Sequence, residues 1–180
     1  MRSGEDEARS PKYAHIERER RWRVDPANRP DLTERPYTLI EDRYITNTRL
    51  RLRRMTDSNS GETAHKLTKK YLCDDPLARP IVTSYLSEQE YALLTTLPAF
   101  PLTKKRYQVD VDGIIWSLDC FAGALAGLEL AEIEWPDDAG LRQLMPPAWA
   151  TEEVSENPLY QGGALAEFGL AEKQIWRILE

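Results

Sequence analysis

The chain has 180 residues, 41% of them hydrophobic, and a formal net charge of -6. This length suits one domain with a sizeable core, and the acidic balance argues against a protein that binds duplex DNA. Two cysteines are too few for a disulfide framework, and neither a membrane-length apolar run nor a signal peptide is evident. We therefore expect a cytoplasmic protein without DNA or membrane partners, with a disordered leader over residues 1–12 and a single domain over 13–180.

The first informative pattern is the alternation in residues 17–24, ERERRWRV. In an extended strand, Glu17, Glu19 and Arg21 share one face, while Trp22 and Val24 lie on the other. Two carboxylates spaced in this way can converge on one divalent cation through hard oxygen ligands. An arginine on the same face can meet an anion that the cation holds.

Seven further segments alternate in polarity or are rich in β-branched and aromatic residues, which predicts strands. With 17–24, the predicted strands are 38–45, 48–54, 63–71, 81–86, 102–111, 114–121 and 128–135. Turn signals at 57–61 and at Asp112-Gly113 join neighbouring strands into hairpins. Ser87 and Glu90 form a capping-box pattern that begins a short helix. A second short helix is predicted after Pro136, and residues 157–180 are predicted to be mostly helical.

Charged residues of each sign gather on particular strand faces. The acidic pairs are Glu17/Glu19 and Glu132/Glu134, with Asp119 as a further acid, and the basic pairs are Arg51/Arg53, Lys66/Lys70 and Lys104/Arg106. One interpretation is an open sheet whose solvated face carries salt bridges. The other is a closed barrel with a charged, wet lumen and helices outside it.

The second interpretation has a chemical consequence. Exposed ion pairs each contribute less than about 1 kcal/mol, so stability is a weak reason to place so many in register. If these faces line one lumen, the acids can hold a divalent metal and the bases a polyanion. A short phosphate chain bridged to metal suits this combination, because arginine and lysine both bind phosphate oxygens.

At Glu17-x-Glu19-x-Arg21 the chain resembles the CYTH domains, or triphosphate tunnel metalloenzymes, whose hallmark is an N-terminal E-x-E-x-K strand. Other pieces follow in the family's order: DRYI (42–45), LRLR (50–53), LTKK (67–70), SEQEY (87–91), KKRY (104–107), DCF (119–121), GLELAEIE (127–134) and VSENPLY (154–160). Three departures stand out. Arg21 replaces the usual lysine, Ser117 replaces a common acid, and Tyr160-Gln161-Gly162 replaces Y-x-N.

The resemblance implies an α+β fold: an eight-stranded antiparallel closed β-barrel with a charged lumen, helices packed outside and C-terminal helices. It implies Mg²⁺ or Mn²⁺ on Glu17, Glu19, Glu132 and Glu134, with Asp119 beside them. It implies phosphate contacts from Arg51, Arg53, Lys70, Lys104 and Arg106, to which strand parity alone adds Lys66. Glu17, Glu19 and Arg21 are the predicted catalytic residues.

Three functions remain open on this basis. The first is metal-dependent hydrolysis of inorganic tripolyphosphate or a related small triphosphate. The second is cyclisation of ATP to cyclic AMP, although no residue set here specifies adenine. The third is triphosphate or nucleotide binding without turnover, since a guanidinium at position 21 binds phosphate but does not easily give up a proton. The sequence leaves monomer and homodimer open.

Overall fold

The computed structural model describes residues 11–170. The first ten residues of the predicted leader and the predicted helical piece after residue 170 lie outside the described residues. The strands are β1 (His15–Val24), β2 (Thr38–Ile45), β3 (Leu50–Asp57), β4 (Thr63–Lys70), β5 (Ala78–Leu86), β6 (Ala99–Val111), β7 (Ile114–Phe121), β8 (Glu129–Glu134) and β9 (Ala150–Glu153). The α-helices are α1 (Glu88–Leu94), α2 (Asp138–Gln143) and α3 (Gly162–Phe168).

Eight of the strands close into an antiparallel barrel, as predicted. Their order is β5-β4-β3-β2-β6-β7-β8-β1, and residues 15–18 of β1 pair with residues 78–81 of β5 to complete the ring. The second half of β1 pairs with β8 on one side and with β9 on the other. Strand β9 was not predicted, because the sequence ATEE is too short and too polar to show an alternation.

The predicted turn between β6 and β7 and the predicted starts of the first two helices form at the expected residues. Asp112 and Gly113 have φ angles of 53° and 82°, which suits the type I′ turn that joins β6 to β7. Ser87 and Glu90 make both hydrogen bonds of a capping box at the start of α1. Asp137 caps α2 by accepting a hydrogen bond from the amide of Gly140.

The outer face of β1, β6, β7 and β8 carries the main core. Trp22, Trp116 and Trp149 are almost fully buried and pack edge to face, with ring centroids 5.4 and 6.4 Å apart. Leu141 of α2 and Ile133 of β8 belong to the same cluster. This packing fixes the outer wall, so the opposite face of the same strands points into the barrel.

A second, smaller core lies at one end of the barrel. Leu102, Phe121 and Leu130 are inward-facing residues of β6, β7 and β8, and Leu165 of α3 packs among them with 2% exposure. Helix α3 is therefore part of the lumen wall at this end and not only an outer covering. Among residues 11–170, the helices are too short or too polar to cross a lipid bilayer.

Candidate active site in the barrel lumen

The strand register brings charged residues of both signs to the inside of the barrel. Residues directly paired in an antiparallel ladder share a face. Arg21 of β1 pairs with Glu132 of β8, and Glu17 pairs with Arg79 of β5. Every second residue of each strand then faces the lumen, as the barrel interpretation requires.

The lumen encloses a cavity of about 350 Å³, which is within the size range of small-ligand sites. Its charged lining residues are Glu17, Glu19, Arg21, Arg49, Arg51, Arg53, Lys70, Arg79, Lys104, Arg106, Glu132 and Glu134. Eight of these twelve side chains are basic and four are acidic. A cavity with this lining suits an anion more than a neutral ligand.

Three carboxylates form a compact acidic cluster on one side of the cavity. Each of Glu17, Glu19 and Glu134 offers an oxygen within 4.8 Å of the others. Burial and the neighbouring charges of Glu17 and Glu19 raise the pKa of Glu134. Hard oxygen donors at this separation fit a divalent cation, which would relieve the repulsion between them.

Lys70 partly neutralises this acidic cluster. Its ammonium is paired with Glu17 and lies 3.7 Å from Glu19. Burial lowers the pKa of Lys70, but Glu19 and Glu17 outweigh burial and raise it. For Glu19, Lys70 and Arg21 likewise outweigh burial, and its pKa is lowered. The ammonium of Lys70 thus lies beside the acidic cluster. A bound metal ion would compete with it for the carboxylates, and a bound anion would compete with the carboxylates for the ammonium.

The other two predicted metal ligands, Glu132 and Asp119, lie in a different group. Asp119 is fully buried, and both of its oxygens accept hydrogen bonds from Arg106, at 2.7 Å each, while Lys104 pairs with it as well. Glu132 is paired with Arg106 and Arg21. Although burial raises its pKa, Arg21 and then Lys104 bring that pKa well below the ordinary value. These two acids hold basic side chains in place, and they are not part of the acidic cluster.

Arg21 contacts three different groups with one guanidinium. Its Nε lies 2.9 Å from Glu132, its Nη2 donates to Glu19 at 2.9 Å, and its Nη1 donates to the backbone carbonyl of Tyr160 at 2.7 Å. Burial lowers its pKa, but Glu132 and Glu19 outweigh burial and raise it. Arg21 is therefore a permanent cation that joins the acids to the segment before α3.

The sequence interpretation missed several residues of the site, of which Asp42 has the clearest role, because it holds a lining arginine in place. It pairs with Arg53 in the β2–β3 register and accepts two hydrogen bonds from it, at 2.6 and 2.7 Å. Arg51 lies 3.8 Å from the same carboxylate, and its buried Nε has no hydrogen-bond partner among residues 11–170. Asp42 shares strand parity with Tyr44, so the alternation in β2 could have revealed it. Tyr44 and Arg79, which were missed as well, line the cavity directly.

Lys66 differs from the other predicted phosphate contacts. By register it shares a face with Arg53 and Tyr85. Its ammonium, however, lies 4.9 Å from the ring centroid of Tyr85, which is itself 74% exposed, and the cavity lining does not include it. Strand alternation therefore predicted the correct face for Lys66, but it did not predict how far along the barrel the side chain lies.

Fold and site together define a tunnel protein: a closed antiparallel barrel whose interior carries an acidic cluster opposite many cations. An inorganic triphosphatase of Nitrosomonas europaea is 37% identical over 92 residues, which are 45% of this chain and 61% of that protein. One from Acetivibrio thermocellus is 35% identical over 66 residues, or 37% of this chain and 41% of that protein. The matched segments thus span less than two thirds of either relative.

The solved structure of the inorganic triphosphatase NE1496 has the same architecture. It is 26% identical, with a TM-score of 0.55, and the match covers 83% of this chain and 97% of that one. No known family profile matches the chain. The relatives and the barrel nevertheless confirm the resemblance to the CYTH, or triphosphate tunnel metalloenzyme, family that the strand motifs carry.

Proposed function

We propose that this protein hydrolyses inorganic tripolyphosphate, or a related small triphosphate, with Mg²⁺ or Mn²⁺ as its cofactor. The observation that carries the proposal is the enclosed cavity, in which basic side chains from several strands face the acidic cluster. Such a lumen can neutralise a short phosphate chain and a divalent cation together. The names of the relatives point to the same substrate.

Glu17, Glu19 and Glu134 are the residues that would hold the cation. They supply carboxylate oxygens close enough together for one ion, and magnesium and manganese both favour such ligands. When bound, the cation would withdraw charge from the phosphate oxygens. Glu132 and Asp119, each already paired with cations, would support Arg21, Arg106 and Lys104.

The phosphate chain would be bound by Arg51, Arg53, Lys70, Lys104 and Arg106, all of which line the cavity. The buried Nε of Arg51, which has no hydrogen-bond partner among residues 11–170, supports this assignment, since a buried donor without a hydrogen bond is costly. Lys66 is left out because its ammonium lies outside the cavity lining.

Hydrolysis of the terminal phosphate would involve few protein groups directly. A water oriented by Glu17 or Glu19 attacks the terminal phosphorus, the phosphoanhydride P–O bond breaks, and pyrophosphate leaves with the bonding electron pair. The proton of the water passes to a carboxylate of the acidic cluster. Positioning and charge stabilisation by the lumen cations lower the barrier.

The test is a panel of triphosphates assayed with Mg²⁺ and with Mn²⁺ for released orthophosphate. Tripolyphosphate should release orthophosphate only when a divalent cation is present. Cyclic AMP formed from ATP would instead assign cyclase activity. Tight binding by calorimetry without released phosphate would assign a binding protein and overturn the proposal.

A further inference from the structure

We propose that Arg21 is a positioning residue that couples the acids of the lumen to closure of the C-terminal segment over its end. Arg21 takes the position of a lysine in the family pattern, and its guanidinium has three separate partners. Two are the carboxylates of Glu19 and Glu132, and the third is the carbonyl of Tyr160, which belongs to the C-terminal segment.

The backbone of Arg21 binds the same segment. Its amide donates to Oγ of Ser155 at 2.8 Å, and its carbonyl accepts a hydrogen bond from the amide of Val154 at 2.8 Å. Residues 154–160 therefore cross β1 at this one residue. Helix α3 begins two residues after Tyr160, and Gln161, Gly162 and Gly163 form part of the cavity wall.

The approach of α3 to the lumen is close. A Cβ built on Gly162 would lie 1.9 Å from the hydroxyl of Tyr44, so the helix start packs directly on this ring. The hydrogen bond from Arg21 to the carbonyl of Tyr160 thus holds the chain two residues before the close contact between Gly162 and Tyr44. A shift of Arg21 would therefore move the residues at the start of α3 that form the cavity wall.

A lysine cannot make the same set of contacts. The donors of a guanidinium point outward from a planar fork, whereas the three donors of an ammonium radiate from one atom on a flexible stem. A lysine at position 21 would keep the charge beside the two carboxylates and lose the carbonyl of Tyr160. The arginine therefore specifically adds the link to the C-terminal segment.

Amide hydrogen exchange of the ligand-free protein tests this link without any assay of activity. In Arg21→Lys, peptides covering residues 161–169 should exchange about tenfold faster, the effect of losing one hydrogen bond from a charged donor. Glu132→Gln, which loosens the guanidinium without touching α3, should accelerate the same peptides to a smaller extent.

Arg20→Lys is the matched control. Arg20 is the preceding residue of β1, faces outward, donates to the carbonyls of Leu141 and Leu144 at the end of α2 and is paired with Glu153 of β9. Its replacement should accelerate exchange in α2 and β9 and leave α3 unchanged. If Arg21→Lys leaves exchange of residues 161–169 within twofold of the wild type, the proposal is overturned. If that variant fails to fold, unchanged exchange in Glu132→Gln has the same meaning.

A kinetic measurement then links closure to turnover, and this part rests on the proposed function. With tripolyphosphate, Arg21→Lys should raise KM by about tenfold while kcat changes less, because a looser wall retains substrate poorly. Absence of any tripolyphosphatase activity in the wild type would refute the proposed function but leave the exchange result interpretable. A fall in kcat at unchanged KM, with normal exchange, would instead assign Arg21 to the reacting atoms.

Discussion

Arg53 and Asp42 lie directly opposite each other on β3 and β2, and two hydrogen bonds of 2.6 and 2.7 Å join their side chains. Both residues are buried, with 8% and 2% exposure. The pair places a cation in the lumen wall together with its counter-ion. The charge of Arg53 is therefore neutralised even when no ligand is bound. The lumen is thus built from paired charges whose excess is basic.

Removing the carboxylate from this pair should be costly. Asp42→Asn leaves Arg53 buried beside Arg51 without its main counter-ion, and we expect a loss of roughly 3–5 kcal/mol in the free energy of unfolding. Urea denaturation measures it. Glu41→Gln is the control: Glu41 pairs with Arg54 on the outer face of the same strand, and its loss should cost less than about 1 kcal/mol.

The same pair gives stability a pH dependence. Burial raises the pKa of Asp42, but Arg53 outweighs burial and the folded-state pKa is lowered. A carboxylate with a lowered folded pKa stabilises the protein above its unfolded pKa of about 3.9, and this contribution is lost as pH falls through the folded value. Unfolding free energies measured between about pH 5 and 2 should fall more steeply for wild type than for Asp42→Asn. Parallel curves would contradict the assignment.

The contact of Gly162 with Tyr44 predicts a steric cost. Gly162→Ala should lower the unfolding free energy by about 1–3 kcal/mol, because the new methyl group forces the tyrosine ring to move. Gly163→Ala is a matched control, since its nearest neighbour would be 3.5 Å away. Tyr44→Phe, which removes the closest atom, should recover part of the loss in a double-mutant cycle. Equal costs for the two glycine substitutions would show that α3 does not pack against Tyr44 in this way.

The two cysteines should differ in reactivity. Burial, with the nearby charge of Glu129, raises the pKa of the Cys120 thiol to about 12, whereas Cys73 is exposed. Because the thiolate is the nucleophile, iodoacetamide at pH 8 should label Cys73 and leave Cys120 unmodified in the folded protein. Mass spectrometry of peptides gives the result, and Cys73→Ser should remove the rapid labelling. Rapid labelling of Cys120 in that variant would contradict the burial of its thiol.

Strand alternation was sufficient to predict much of the fold. Glu17, Glu19 and Arg21 face inward because Trp22 and Val24 need the outer core, and that constraint was visible in the sequence. Alternation left an open sheet and a closed barrel as alternatives, and the closed barrel that the family resemblance implied is confirmed. Strand β9 and the wall formed by α3 depend on long-range contacts, which a local pattern does not contain.

The depth of a residue along its strand was the harder quantity. Lys66 has the parity of Lys70 but sits over Tyr85, and Asp119 has the parity of the lumen but lies behind Lys104 and Arg106. Depth depends on the stagger between neighbouring strands, which only the paired structure reveals. The roles assigned to the site residues remain proposals that the substitutions above address.

Orthophosphate release from tripolyphosphate with Mg²⁺ tests the central claim most directly, with Glu17→Gln and Glu134→Gln compared against Glu41→Gln. The first two remove oxygens from the acidic cluster inside the lumen, and the third removes an acid from the outer wall. We expect a loss of roughly 100-fold or more in kcat for the two inner variants at near-normal thermal stability, and little change for the outer one. Turnover close to wild type in both inner variants would contradict a metal-assisted reaction inside the barrel.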